Sequence, residues 1–472
     1  MTYVGATPTT GDFKLLDSIT TSSSTTFNLR QGGVAVYPQS ANHCLVVLNG
    51  VLQTAGSSFN IVNDTIVFAS SLSSSDVINQ ILVLGNVNDI GVVSDDTVST
   101  AKLQANAVTY PKTSGLVRPN AKPLLINGNM AVAQRGTSFS HSDTNNDNYP
   151  VDRFSFQTGA IGVYTSTQET LSSGAAYDAG FRKAARIDCT TAQSSPAAGD
   201  YFWFQYKMEA QDCLLFKKGT SSAEKMTVAF WVKSNKTGTS QLTVKDGDND
   251  RICAGTYAIS SANTWEHKVI NIAADTTGAF NNDNGAGFIF EWWLGAGSSY
   301  SSGTVPTAWE ARTDADRGVQ NLSINDNTAN DWAITGIQVE VGEYTSSTLP
   351  PFQHENYGDN LARCQRYYYK LVEGDNEPIC SGGMFNGTVF LGSVEFPTTM
   401  RTSPTIDVVT GTDYWKIVAS AGDDTCDALA INRDFNTQCH LEIQTNLSRT
   451  QGDAGTCRTA NASAFVGFLA EL

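Results

Sequence analysis

The chain has 472 residues, 40% of them apolar and 16% charged, with 46 acidic against 30 basic side chains and a formal net charge of −16. At ~100 to 200 residues per domain this is two to four domains with real cores, and the acidic balance argues against nucleic acid or anionic lipid as a partner. No apolar run approaches the ~20 residues that span a bilayer, and the start, MTYVGATPTTGDFK, lacks a basic segment followed by an apolar stretch, so neither membrane insertion nor a cleaved export signal is expected.

Residues 1–95 read as a small all-β unit of short strands separated by Ser, Thr, Asn and Gly. Alternation runs through His43 to Leu48 and Thr65 to Phe68, and Asn49-Gly50 between apolar runs predicts a hairpin turn. From Thr97 to His141 the character changes: Lys102, Lys112, Arg118, Lys122 and Arg135 stand without an acid. Within residues 96–122, Val98-Ser-Thr-Ala-Lys102 recurs as Val108-Thr-Tyr-Pro-Lys112, too short and Pro-broken to bury a face alone. A flexible linker fits this stretch; so does a segment wound about an axis with identical copies, burying Val98, Leu103 and Val108 between chains.

Residues 123–352 carry runs rich in β-branched and aromatic residues, Lys225 to Lys233, Gln241 to Lys245, Trp265 to Ile272, Gly287 to Leu294 and Asp331 to Val341, each bounded by Gly, Asn or Asp. In the last, Ile337, Val339 and Val341 alternate with Gln338 and Glu340, as in a half-buried strand. Eight to ten such strands predict a two-sheet, jelly-roll-like β-sandwich. Residues 353–472 open on a predicted short helix, Gly358 to Leu371, capped by Asp359, and return to strands at Gly387 to Phe396, Thr405 to Val409, Tyr414 to Ala419, His440 to Gln444 and Phe465 to Phe468, giving a distal β domain. The fold class is all-β.

Chemistry-bearing constellations are sparse. Nine scattered cysteines without a C-x-x-C pair read as buried free thiols of a chain folded in a reducing compartment, and the five histidines never reach ligand spacing, so no metal and no cofactor is expected. Glu340 and Glu343 could approach the spacing of a glycan-cleaving pair, but Glu340 reads as the outward face of a strand and Glu343 as the turn after it. Asp143, Asn145 and Asp147, and Asp246, Asp248 and Asp250, alternate as calcium ligands do but lack the glutamate at position twelve, so both read as solvated turns. No G-x-S-x-G and no phosphate-binding Gly loop occurs, and no catalytic residue is assigned.

Aromatics remain. Sugars stack their C–H faces on aromatic planes flanked by polar groups. Most of the eight tryptophans alternate within strands and read as core, whereas Tyr300 and Trp309 lie in a long Gly/Ser/Thr-rich stretch, and Tyr414-Trp415 has the same character. These four are the candidate glycan contacts; a loop aromatic is more often a packing anchor, and the sequence leaves both readings open. In Tyr149-Pro-Val-Asp-Arg-Phe154, Asp152 and Arg153 sit among aromatics, where an unpaired charge is costly, and are expected to form a structural pairing that locks the entry to the domain.

Several motifs together resemble the tail fibres of tailed bacteriophages. Leu125-Ile-Asn-Gly-Asn-Met-Ala-Val-Ala-Gln-Arg-Gly136 with Tyr149 to Phe154 is similar to the opening of a sandwich domain common in such fibres. Thr335-Gly-Ile-Gln-Val-Glu-Val-Gly342 is similar to its closing strand, and Tyr357-Gly-Asp-Asn-Leu-Ala-Arg-Cys-Gln-Arg-Tyr-Tyr368 to the segment leading into the distal region. Residues 1–95, through Val47 to Gln53 and Asp64 to Phe68, are similar to adaptor domains that dock on the tail or baseplate.

The resemblance implies a homotrimer in the virion, assembled in bacterial cytoplasm, with the N-terminal unit on a tail, adaptor or baseplate protein and the distal β domain as receptor-binding tip on host polysaccharide or lipopolysaccharide. The linker's basic charges are then expected to bridge to acids of neighbouring chains. Fibres with a self-cleaving chaperone carry a further helical region, and the sequence ending Ala470-Glu-Leu472 predicts none. Two rivals stand beside a binding fibre: an enzyme that degrades surface polysaccharide, and a connector to another receptor-binding protein.

Overall fold

A computed structural model describes residues 13–84, 122–141 and 148–472. They fall into two compact units, the first within residues 1–108 and the second within 109–472. Val98, Leu103 and Val108, the positions expected to pack between chains, and the alternating Asp143, Asn145 and Asp147 lie outside the described residues. The chain is nearly all β, in antiparallel sheets, as its alternating runs predict.

In the first unit a four-stranded sheet, ordered Lys14–Leu15, Ile78–Val83, Cys44–Leu48 and Val51–Leu52, accompanies a three-stranded sheet of Thr26–Asn28, Thr65–Phe68 and Phe59–Val62. Asn49 and Gly50 both adopt positive φ, 52° and 78°, which turns Cys44–Leu48 back into Val51–Leu52 as an Asn-Gly hairpin should. Val46, Ile81, Phe59, Ile66 and Leu29 fill the core between.

The second unit holds two hydrophobic cores. The larger lies in a sandwich of a six-stranded sheet (Ser138–His141, Val163–Thr170, Lys183–Thr191, Asp331–Val341, Met226–Ser234, Glu266–Ile272) and a seven-stranded sheet (Asn148–Val151, Phe154–Gly159, Tyr201–Glu209, Ala286–Ala296, Gly238–Asp246, Arg251–Ile259, Glu310–Ala311). Alternation does the work: Phe202, Phe204, Tyr206 and Met208 from one strand and Phe288, Phe290, Trp292 and Leu294 from its neighbour enter the core, and the residues between them face outward. The second core fills the distal lobe, where a seven-stranded sheet meets a three-stranded sheet of Tyr368–Glu373, Phe465–Leu469 and Thr405–Val408.

Two expectations need correction. The helix spans Tyr357–Gln365, and its cap is Asn356, whose side chain accepts from the Asp359 N–H. It ends there because Tyr368–Glu373 is claimed by a strand paired with Phe465–Leu469. The turn after Gly238–Asp246 is not simply solvated: Asp246 is fully buried, accepts from the Asp248 and Asn249 N–H groups, and forms an ion pair of 2.5 Å with buried Lys218. Buried Asp275, salt-bridged also to Arg251, gives Lys218 a second carboxylate at 3.1 Å.

Candidate functional site

The motifs that carry the family resemblance converge on one buried joint between sandwich and distal lobe. Ile337 of the closing strand donates its N–H to the Gly128 carbonyl at 2.9 Å, and a Cβ at Gly128 would lie 2.2 Å from the Ile337 oxygen, so only glycine permits this approach. Gly336 bulges that strand at φ 62°, against Phe181. Asn127 donates to the Val132 and Asp152 carbonyls, and Asn360, from the helix, donates to the Asn127 side chain. Glu209 accepts from Arg366 at 2.7 Å and from the Tyr367 hydroxyl at 2.6 Å.

Asp152 and Arg153 belong to this joint but do not pair with each other. They form the two-residue connection between Asn148–Val151 and Phe154–Gly159, and Arg153 takes φ 73°, so neighbours in sequence acquire separate partners. The Asp152 carboxylate accepts from the Gln134 N–H and side-chain amide. Burial pushes its carboxyl up, against the opposing pull of Arg135 and Gln134. Arg153 lies 3.4 Å from the Tyr367 ring centroid and salt-bridges Glu471, at the far end of the chain.

Glu471 is the hub. Its second oxygen accepts from Arg135 at 3.0 Å, and Arg135 in turn is stacked between Tyr149 and Tyr368, at 4.3 and 3.8 Å from their ring centroids. Burial raises the Glu471 carboxyl; the charges of Arg153 and Arg135 outweigh it and hold the group below its ordinary range. Of the basic segment, Arg135 bridges to an acid of its own chain and Lys122 is exposed, while Lys102, Lys112 and Arg118 lie outside the described residues. Arg401 donates to the Ala470 and Glu471 carbonyls, and Lys207 to Leu472, so the last residues are tied down on both sides.

Beside this joint opens a cavity of about 710 Å³, within the ~300 to 1,000 Å³ typical of small-ligand sites. Phe139 and Tyr149 wall it from the sandwich, and Tyr368, Asp407 and Phe465 from the distal lobe. Its charged lining balances, Arg135, Lys370 and Arg401 against Glu373, Asp407 and Glu471. Most of these charges are already engaged: Lys370 pairs with Glu373 at 2.7 Å, and Asp407 accepts from the Tyr368 hydroxyl at 3.0 Å. The hydroxyls of Thr402, Ser403 and Thr405 and the half-buried Phe139 and Phe465 complete a lining of rings and hydrogen-bonding groups.

The four aromatics nominated from sequence do not come together here. Tyr300 joins Tyr201, Trp203 and Trp293 on the outer face of the seven-stranded sheet, but the cluster encloses the chain's own Arg317, 5.0 to 5.6 Å from three of the rings and doubly hydrogen-bonded to Glu291. Tyr300 is half-buried at its rim. Trp309 is a packing anchor, donating its indole N–H to the Ala273 carbonyl at 2.7 Å against the sandwich core. Tyr414 is half-buried, and Trp415 is fully buried in the distal core, which leaves Trp415 no face for a sugar and corrects that assignment.

Groups that could suggest catalysis are otherwise employed. Glu343 pairs with Lys225 at 2.5 Å, and Glu340 accepts from Gln338. His141 bonds Ser166 at 2.6 Å and Asn148 at 3.0 Å, superficially a nucleophile, base and orienter. The Asn148 amide nitrogen, however, faces Nδ1, which puts the ring proton on Nε2 toward Ser166, and the ring is fully buried, its pKa pushed down to about 4. Among the described residues no group of three or more His, Cys, Asp or Glu is placed to hold a metal ion.

No family model matches the chain, and no curated protein matches it. Solved structures with some likeness include the enzymatically active domain of tailspike protein 4 of bacteriophage CBA120, at 11% identity over 46% of this chain and 21% of that one, TM-score 0.24. TmCBM61, solved with β-1,4-galactotriose, gives 11% over 47% of this chain and 99% of that one, TM-score 0.21. The family 11 carbohydrate-binding module of Clostridium thermocellum, solved with a mixed-linked tetrasaccharide, gives 7% over 44% and 96%, TM-score 0.21. The chain spans about a fifth of the tailspike chain. Likenesses this slight assign neither a family nor an activity.

Proposed function

We propose that this chain is the subunit of a homotrimeric tail fibre of a tailed bacteriophage, which holds to the tail through its N-terminal unit and binds host-surface glycan, without cleaving it, in the cavity beside the joint. The observation that carries this reading is the cavity's lining: two half-buried rings, three hydroxyls and a charge-balanced rim suit a polyhydroxylated ligand better than an ionic or purely apolar one. The convergence of the fibre-like motifs on the adjoining joint supports it, because those residues fix the two walls relative to each other. A hydrolase would need a carboxylic acid able to give up a proton, and Glu471, the deepest carboxylate here, is held ionised by two arginines.

Three copies per fibre make weak single-site affinity sufficient, since linked sites raise avidity by ~10² to 10⁴. The full chain, labelled and applied to a panel of bacterial strains, should bind at least one strain saturably, be competed by that strain's purified surface polysaccharide, and release no reducing sugar from it. Binding to none of the panel would overturn the attachment role, and sugar release would replace it with the enzymatic one.

A further inference from the structure

All nine cysteines lie in described parts of the chain and all are buried and free. Their surroundings differ. Cys44, Cys189, Cys253, Cys426 and Cys439 stand across from other residue types in their sheets, and Cys213 and Cys364 lie outside the strands. Cys380 and Cys457 alone are direct cross-strand partners, in the antiparallel pair Pro378–Met384 and Ala454–Thr459 of the distal lobe.

Opposed residues in such a pair have Cα atoms ~4.5 or ~5.5 Å apart, and disulfides span ~4.4 to 6.8 Å, so either kind of pairing places these two within bonding range. The Cys380 sulfur lies over Gly392 of the adjacent strand, in space that a Cβ there would occupy at 2.3 Å. The two thiols face each other across the ladder, and the neighbouring Cys457 pulls Cys380 below its ordinary range while Cys380, with burial, drives Cys457 up. Burial pushes Cys44, Cys189, Cys213, Cys253, Cys364, Cys426 and Cys439 up as well, leaving Cys380 the one thiol held below its ordinary range.

We infer that Cys380 and Cys457 form a redox pair that closes into a cross-strand disulfide when the protein meets hydrogen peroxide, pinning two central strands of the distal lobe. The Cys380 thiolate attacks one peroxide oxygen; the S–O bond forms, the O–O bond breaks, and the departing hydroxide takes up a proton as water. Cys457 then gives up its proton and attacks the sulfenic sulfur, forming S–S, breaking S–O and releasing the second water. One peroxide is reduced to two waters and two thiols are oxidised. Cys380, 7% exposed against 0% for Cys457, is the sulfur a small oxidant reaches first.

The test treats the full chain with graded hydrogen peroxide, then alkylates it in denaturant and maps its peptides. Expected is one linked peptide pair containing Cys380 and Cys457, lighter by two hydrogens than the free thiols, with the other seven cysteines alkylated. Oxidation should also raise the distal lobe's melting midpoint, and a reductant should reverse the rise. Cys457→Ser should leave Cys380 as a sulfenic acid trapped by dimedone. Absence of the link in the unmodified chain, a link from Cys380 to Cys439 instead, or over-oxidation of Cys380 without any link overturns the inference, and that map decides the matter even if the variant does not fold.

Discussion

The two units treat apolar surface in opposite ways. Among the described residues fifteen large apolar side chains are exposed, and nine of them, including Leu15, Leu45, Val51, Leu52 and Val77, belong to the first unit, which is far smaller than the second. Register places Leu15, Leu82 and Leu45 side by side on the outer face of the four-stranded sheet, with Val47 and Leu52 in the next row. The second unit buries most of its rings, Tyr357, Phe385 and Phe435 excepted, cages one arginine with three of them, and opens a cavity lined by hydroxyls, balanced charges and two half-buried phenylalanines. A surface of the first kind is suited to being covered by protein; one of the second kind is suited to meeting a polar ligand in water.

The sharpest way to break this contrast is at Glu471. Glu471→Ala strands Arg135 and Arg153 as buried unpaired charges, an expected loss of about 3 to 5 kcal/mol. Calorimetry should show the second unit's transition falling while the first unit's stays in place. A change in both would mean that the joint does not belong to the second unit alone.

Next in size is a pH effect centred on His141. Its native pKa lies near 4, below the ordinary imidazole value, so between pH ~6.5 and about 4 the unfolded chain binds a proton that the folded one refuses. Stability therefore falls as pH drops through that window, by about 3 kcal/mol in all. Denaturant titrations at pH 7 and pH 4.5 should show the loss in the second unit, and His141→Gln should flatten it.

On the other side of the comparison, Leu45→Glu places a charge within the exposed leucine row. The fold of the first unit should hold to within ~0.5 kcal/mol, since Leu45 lies outside its core. Under the proposed attachment through this unit, binding to tail protein should weaken by about 1.5 to 3 kcal/mol per chain, read in pull-down of tail proteins, and unchanged pull-down would exclude this face from the attachment. Smallest is Phe465→Ala in the cavity wall, expected to weaken glycan binding about tenfold, ~1.4 kcal/mol, with little effect on melting.

Legibility in the sequence followed the range of the interactions. The Asn49-Gly50 hairpin and the Asp331–Val341 strand were readable because turn chemistry and side-chain alternation are local. The end of the helix was not, because strand pairing with Phe465–Leu469, about a hundred residues away, overrides helical spacing after Gln365. Adjacency misled for Asp152 and Arg153, where a two-residue turn sends each to its own partners and Arg153 to Glu471. The cavity joins Phe139, Tyr149, Tyr368, Asp407 and Phe465 from segments scattered over more than three hundred residues, and no spacing rule connects them. Their one sequence trace was indirect: the Arg135, Tyr149 and Tyr368 that border it lie inside or beside the fibre-like motifs. Trp415 illustrates the converse, a ring with the right neighbours in sequence that packing had claimed.

The central claim, that the cavity of the second unit holds glycan, is tested most directly by a glycan array probed in parallel with the full chain and its Phe465→Ala and Asp407→Ala variants. The expected result is a defined set of bound glycans for the parent chain and the same set, about tenfold weaker, for each variant, with melting unchanged in Phe465→Ala and lowered in Asp407→Ala, where the Tyr368 hydroxyl loses its acceptor. Parent-strength binding by both variants, or no glycan bound by any of the three, would contradict it.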